Sequence, residues 1–186
     1  MADGLFYNDL REPFLAVDGP DITLAATDKA LYTVSMHPIL GSQYFSRVGK
    51  KIRVRAFGKV TTAATPGNGT FGIYYGDGTD ANGVLLVSSA AFALTASQTT
   101  LSWMVEFFVS CRSIGSVGTL FVDGKASFNN AVVASTLQPI LIPASTAVVS
   151  GACDLTVAKV ISLQFKRSGS TAEHMWVQDM EFVAMN

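Results

Sequence analysis

Between Lys51 and Gly76 the chain reads KIRVRAFGKVTTAATPGNGTFGIYYG, and apolar and polar residues alternate through its first half. Ile52, Val54, Ala56 and Val60 fall on one face of an extended strand, while Lys51, Arg53, Arg55 and Lys59 fall on the other. A period of two suits a half-buried strand and cannot form one face of a helix. Thr65-Pro66-Gly67-Asn68-Gly69 then offers a fixed φ and residues that accept positive φ, as a chain reversal needs. Phe71, Ile73 and Tyr75 resume the alternation. The stretch reads as a β-hairpin around which the rest of the chain is arranged.

The same signal recurs along the chain. Strands are expected at Lys29–Ser35, Gly83–Ala90, Thr99–Val109, Thr119–Asn129, Gln138–Ile142, Lys159–Arg167 and Ala172–Ala184. Leu101, Trp103, Val105, Phe107 and Val109 share one face, as do Leu120, Val122, Ala126 and Phe128. Ile161, Leu163 and Phe165 are expected to point inward, and Trp176, Met180 and Phe182 to oppose Met175, Val177 and Val183. No stretch shows a sustained helical period. About eight strands between Gly-rich turns imply an all-β chain, a jelly-roll-like β-sandwich. With 186 residues, 49% hydrophobic and 15% charged, the chain can bury a sizeable core and is too apolar for disorder. The body is expected over 29–186 as one domain, preceded by an extended N-terminal arm over 1–28. Leu5, Phe6, Tyr7, Phe14 and Leu15 make that arm too apolar for a free tail, so it is expected to pack on the body or on a neighbouring subunit.

Chemistry is thinly supplied. A formal net charge of -1 offers no global attraction to nucleic acid or an anionic membrane. No run approaches the ~20 apolar residues of a membrane span, and the first residues lack the core of a secretory signal. Cys111 and Cys153 stand alone and read as buried, reduced thiols, consistent with folding in a reducing cytosol. His37 and His174 have no second ligand nearby, so neither suggests a metal site. Asp77, Asp80, Asn82 and Gly83 fit a turn better than a calcium loop, because the late bidentate Glu is missing. Glu106, Asp179 and Glu181 could be paired only by the fold, and on outward strand faces they read as solvated. Trp103 belongs with the core, which leaves Trp176, Tyr74 and Tyr75 as candidates for stacking on sugars. The basic stripe of Lys51, Arg53, Arg55 and Lys59 suits a solvated face or a subunit contact. The expectation is a chain with no catalytic residues, no cofactor and no metal.

Two longer stretches carry a resemblance: KIRVRAFGKVTTAATPGNGTFGIYYGDG, with an aromatic segment and a Gly-Lys strand start before it, and SWMVEFFVSCRSIGSVGTLFVDGKASF. Over roughly residues 29–183 their order of strands and turns resembles a class of tailed-bacteriophage virion proteins, especially from phages of actinobacteria. The resemblance implies a structural protein of head or tail, built in the bacterial cytoplasm and present in the virion as a symmetric oligomer. Capsid decoration by a trimer bound to the major capsid protein is the favoured role. A tail-tube, tail-tip or fibre-associated subunit is the first alternative, and a carbohydrate-binding jelly roll recognising host glycans is the second. In the favoured role the arm and residues 130–157 make the contacts, with Leu5, Phe6, Tyr7, Phe14 and Ile140 as candidate contact residues.

Overall fold

A computed structural model describes residues 19–32, 40–42, 44–129, 131–132, 139–144, 146, 149–169 and 173–185. These residues form β1 (Ile22–Thr23), β2 (Lys29–Ala30), β3 (Lys51–Thr61), β4 (Asn68–Gly76), β5 (Val84–Ser88) and β6 (Phe92–Ala93). They continue with β7 (Leu101–Ser113), β8 (Thr119–Phe128), β9 (Ile140–Ile142), β10 (Val160–Arg167) and β11 (His174–Ala184). Among the described residues there is no helix. One sheet has the order β1-β11-β3-β7-β8-β9, the other β2-β10-β4-β5 with β6 paired to β4. All pairings are antiparallel, and the inner faces meet in one core. The all-β sandwich expected from the period of two is what forms.

The hairpin is not. β3 pairs with β7 and β11, whereas β4 pairs with β5, β6 and β10 in the other sheet. Residues 62–67 carry the chain across the sandwich and are tied to the β6–β7 connection, Thr62 N to Gln98 O at 2.8 Å and Ser97 N to Ala63 O at 2.8 Å. Alternation records only that each strand has one buried face. Two strands facing each other across a core satisfy it as well as two strands side by side.

Three other elements have features that alternation alone does not give. Among the described residues of the first expected body strand, Lys29 and Ala30 pair with β10, and Leu31 and Tyr32 are both buried. Residues 19–28, assigned to the arm, lie against the sheet: Gly19 N donates to Val177 O at 2.7 Å, and Leu24 is buried. β10 is covered on both faces, with Ser162 and Gln164 as fully buried as Ile161 and Leu163. Gln164 is satisfied there by the β4–β5 loop, accepting from Ala81 N at 2.7 Å and donating to Thr79 O at 2.9 Å.

β11 carries a bulge between Val177 and Asp179, where Gln178 is the extra residue. The bulge inverts the phase of the strand. Met175 and Val177 before it therefore share the inner face with Met180 and Phe182 after it, while Trp176 faces outward. The bulge sits opposite Gly58 on β3. A Cβ there would collide with the backbone oxygen of Trp176 and lie 2.8 Å from Cζ2 of Trp103. Gly58→Ala is expected to lower stability by about 1–3 kcal/mol, as overpacking does. A urea titration that leaves the midpoint unmoved would remove Gly58 from any role in seating the bulge.

Candidate interaction surface

Each residue with chemical potential now has a place. His174 lies 2.9 Å from Asp21 and stacks on Trp176, with ring centroids 6.0 Å apart. His37 and the candidate contacts Leu5, Phe6, Tyr7 and Phe14 lie outside the described residues. Cys111 and Cys153 are buried free thiols, and desolvation raises the pKa of both. Asp77 accepts from Thr79 N at 3.0 Å, Thr79 Oγ1 at 2.7 Å and Asn82 Nδ2 at 2.6 Å, and these Thr79 bonds hold its carboxyl below the usual range. Asp80 accepts from Lys29 Nζ at 2.7 Å and Ala30 N at 2.8 Å. The carboxylates of this loop thus hold the loop and β2, as a turn reading requires.

The two arginines of the basic stripe face carboxylates of their own chain. Glu106 on β7 and Glu181 on β11 flank β3, with Arg53 Nη2 3.4 Å from Glu181, Arg55 Nε 3.8 Å from Glu106 and Arg55 Nη1 3.9 Å from Glu181. The fold does bring these two carboxylates to one face, but on either side of two guanidinium groups. Aromatic rings complete the face, with Lys51 4.5 Å above Phe108, Arg55 5.4 Å from Phe57 and Lys59 5.5 Å from Trp176. At its β8–β9 margin an open groove of about 440 Å³ is lined by Glu106, Phe108, Asp123, Lys125, Leu141 and Pro143.

Of the aromatics considered for sugar stacking, two are unavailable. Tyr74 and Tyr75 are buried, and desolvation pushes both phenols up to about 12. Tyr74 Oη also donates to Asp28 at 3.0 Å. Trp103 is a core residue whose indole donates to Lys59 O at 3.1 Å. Trp176 alone of the four faces outward. Ile140 is 6% exposed and pairs with Ala126, so it packs inside its own sandwich, and its neighbour Leu141, 63% exposed, is the outward side chain of β9.

The feature that sequence reading missed is one end of the sandwich. β3 begins there, β7 ends, β8 begins and β11 ends, as the registers Lys51↔Ser110, Ser113↔Thr119 and Ala184↔Ile52 fix. Gly49 N bonds Cys111 O at 2.8 Å, Met185 N bonds Lys51 O at 3.0 Å, and Leu155 N bonds Gly115 O at 3.1 Å. These bonds gather four chain segments at one end. Their outward residues include Val48 (61% exposed), Ile114 (52%), Val117 (74%), Val157 and Met185, most of the large apolar side chains that the described residues expose. A usable signal was present, because SRVGK and SIGSVG put β-branched apolar residues in Gly turns, where polar ones are usual.

The sequence matches no protein-family model and no curated protein. Among solved structures, one similar chain belongs to botulinum neurotoxin type C, described as reaching cells through interaction with two ganglioside molecules. Identity is 8% and the TM-score 0.31, over 92% of this chain and 44% of that one. This chain therefore corresponds to less than half of that protein, and at so low a TM-score nothing about its function follows.

Proposed function

We propose that this chain is a structural subunit of a tailed-phage virion, acting as a decoration or surface protein that holds neighbouring subunits by burying apolar area. One observation carries the mode of action: Val48, Ile114, Val117, Val157 and Met185 gather at a single end of the sandwich. Apolar side chains that converge from separate segments mark a surface meant to be covered. The location in a virion rests on the strand-and-turn resemblance over residues 29–183.

The test is co-sedimentation with undecorated shells. Wild-type protein is expected to bind, and Ile114→Asp with Val117→Asp to lose at least about tenfold in affinity, a charge on a buried apolar contact being worth more than ~1.4 kcal/mol. Undiminished binding by the double variant would remove this end from the contact. No binding by wild-type protein, with assembly onto tail structures instead, would move the subunit from head to tail.

A further inference from the structure

We infer that residues 1–18 of one copy dock on the apolar end of a second copy. This rests on the reading of the chain as an assembling subunit, and it names the segment and the surface that join two copies. The anchoring of the segment gives its direction. β1 runs antiparallel to β11, with Thr23 opposite His174 and Ile22 opposite Met175, and Gly19 bonds Val177. Traced backwards from Thr23, the chain therefore runs along β11 toward Ala184, and Ala184 lies at the apolar end.

Reach follows from strand geometry. Val177 to Ala184 spans about 23 Å, which about seven extended residues cover. At least eighteen residues precede Gly19. That length of chain, if extended, would be enough to reach up to about 35 Å beyond the end of β11. Between Leu5 and Asp18 the sequence has no glycine, and a residue before proline, here Glu12, disfavours the helical region.

The two surfaces are complementary. The segment combines Leu5, Phe6, Tyr7, Leu10, Phe14 and Leu15 with Asp3, Asp9, Glu12 and Asp18 against a single Arg11. The receiving end combines Val48, Ile114, Val117 and Met185 with Arg47, Lys50, Lys51 and Arg112 from the same turns and strand ends. Two carboxylates, Asp77 and Asp154, lie near Lys159 toward this end, and each is held by its own threonine, Thr79 at 2.7 Å and Thr156 at 2.6 Å. An acidic, aromatic segment therefore fits the basic rim and apolar centre, and only the rim's share of the attraction should weaken with salt.

Complementation between two defective copies tests this directly. One copy lacks residues 1–18, and the other carries Ile114→Asp and Val117→Asp. The two substituted side chains face solvent, and a urea titration of each variant checks that its core is intact. By light scattering, wild-type protein is expected to associate and each variant alone to run at monomer mass. Mixing the two should restore association, the segment of the substituted copy docking on the intact end of the truncated one. Association of the truncated copy as strong as wild type would overturn the inference, since the ends would then meet without the segment. A mixture that stays monomeric would overturn it too, as would wild-type protein that is monomeric at every concentration. No shell enters this experiment, so its failure and a failure to bind shells are told apart.

Discussion

Phe71→Ala is expected to lower stability by about 3–5 kcal/mol, the range for removing a fully buried aromatic ring. Phe71 has no exposed surface and stands where the two sheets meet. Its ring lies 4.8 Å from Phe165 on the neighbouring strand of its own sheet and 6.2 Å from Phe92. From the opposite sheet, Phe128 lies 5.8 Å away and Trp103 6.0 Å. Truncation thus opens a hole lined by four rings, each locked by its own strand, so collapse can recover little. The backbone raises the stakes, because Phe71 N donates to Ser89 Oγ at 3.0 Å while Ser89 N donates to Phe71 O at 2.9 Å. A urea titration followed by Trp103 fluorescence reads the loss at the ring that borders the cavity. A change below about 1 kcal/mol would mean that the aromatic cluster closes over the hole and is not rigid.

The same cluster shows what the sequence made legible. Phe71, Trp103, Phe128 and Phe165 all lie on faces that alternation assigned inward, and all four are buried. Their mutual contact was not legible, because alternation orders residues along a strand and says nothing of which strand comes next. That is why β3 and β4 read as a hairpin although they belong to different sheets. The phase of β11 was lost for a related reason. One extra residue at Gln178 reverses every later side chain, and Gly58, which accommodates the bulge, sits over a hundred positions away. Polar residues that became structural were equally opaque. Gln164 looks like an ordinary outward residue of a half-buried strand until the β4–β5 loop closes over it. The apolar end falls between these cases: its residues stood in Gly turns, but only the registers show that the turns meet.

Those registers also set the terms of the assembly reading. The arginines on the β3 face are paired within the chain, since Arg53 and Arg55 already face Glu106 and Glu181. Partly exposed pairs of this kind add little stability, so replacing them tests the electrostatics of the face with small effect on the fold. The apolar end has no such internal compensation for Val117 and Ile114, which are tip residues of the β7–β8 turn. Burial against a partner is the way such side chains gain free energy.

Glu173→Ala is expected to destabilise the protein by about 3–5 kcal/mol, whereas removing both charges of its pair should cost far less. Glu173 is fully buried and contacts Arg167, itself 9% exposed. Arg167 also donates through Nε to Leu24 O at 3.1 Å and through Nη1 to Gly169 O, while its backbone N bonds Ala25 O at 2.9 Å. Leu24 N returns to Glu173 O at 2.8 Å. The pair thus fastens the start of β11 and the end of β10 to the segment that follows β1. A guanidinium cannot shed its proton, so Glu173→Ala leaves a permanent charge in a place with no water. Arg167→Met with Glu173→Leu removes both charges at similar volume and should recover most of the stability lost by either single change. Urea midpoints for the four proteins at neutral pH close the cycle. If the double variant is as unstable as the sum of the single ones, the two side chains act independently, and the clamp on the β10–β11 connection lies in the backbone bonds alone.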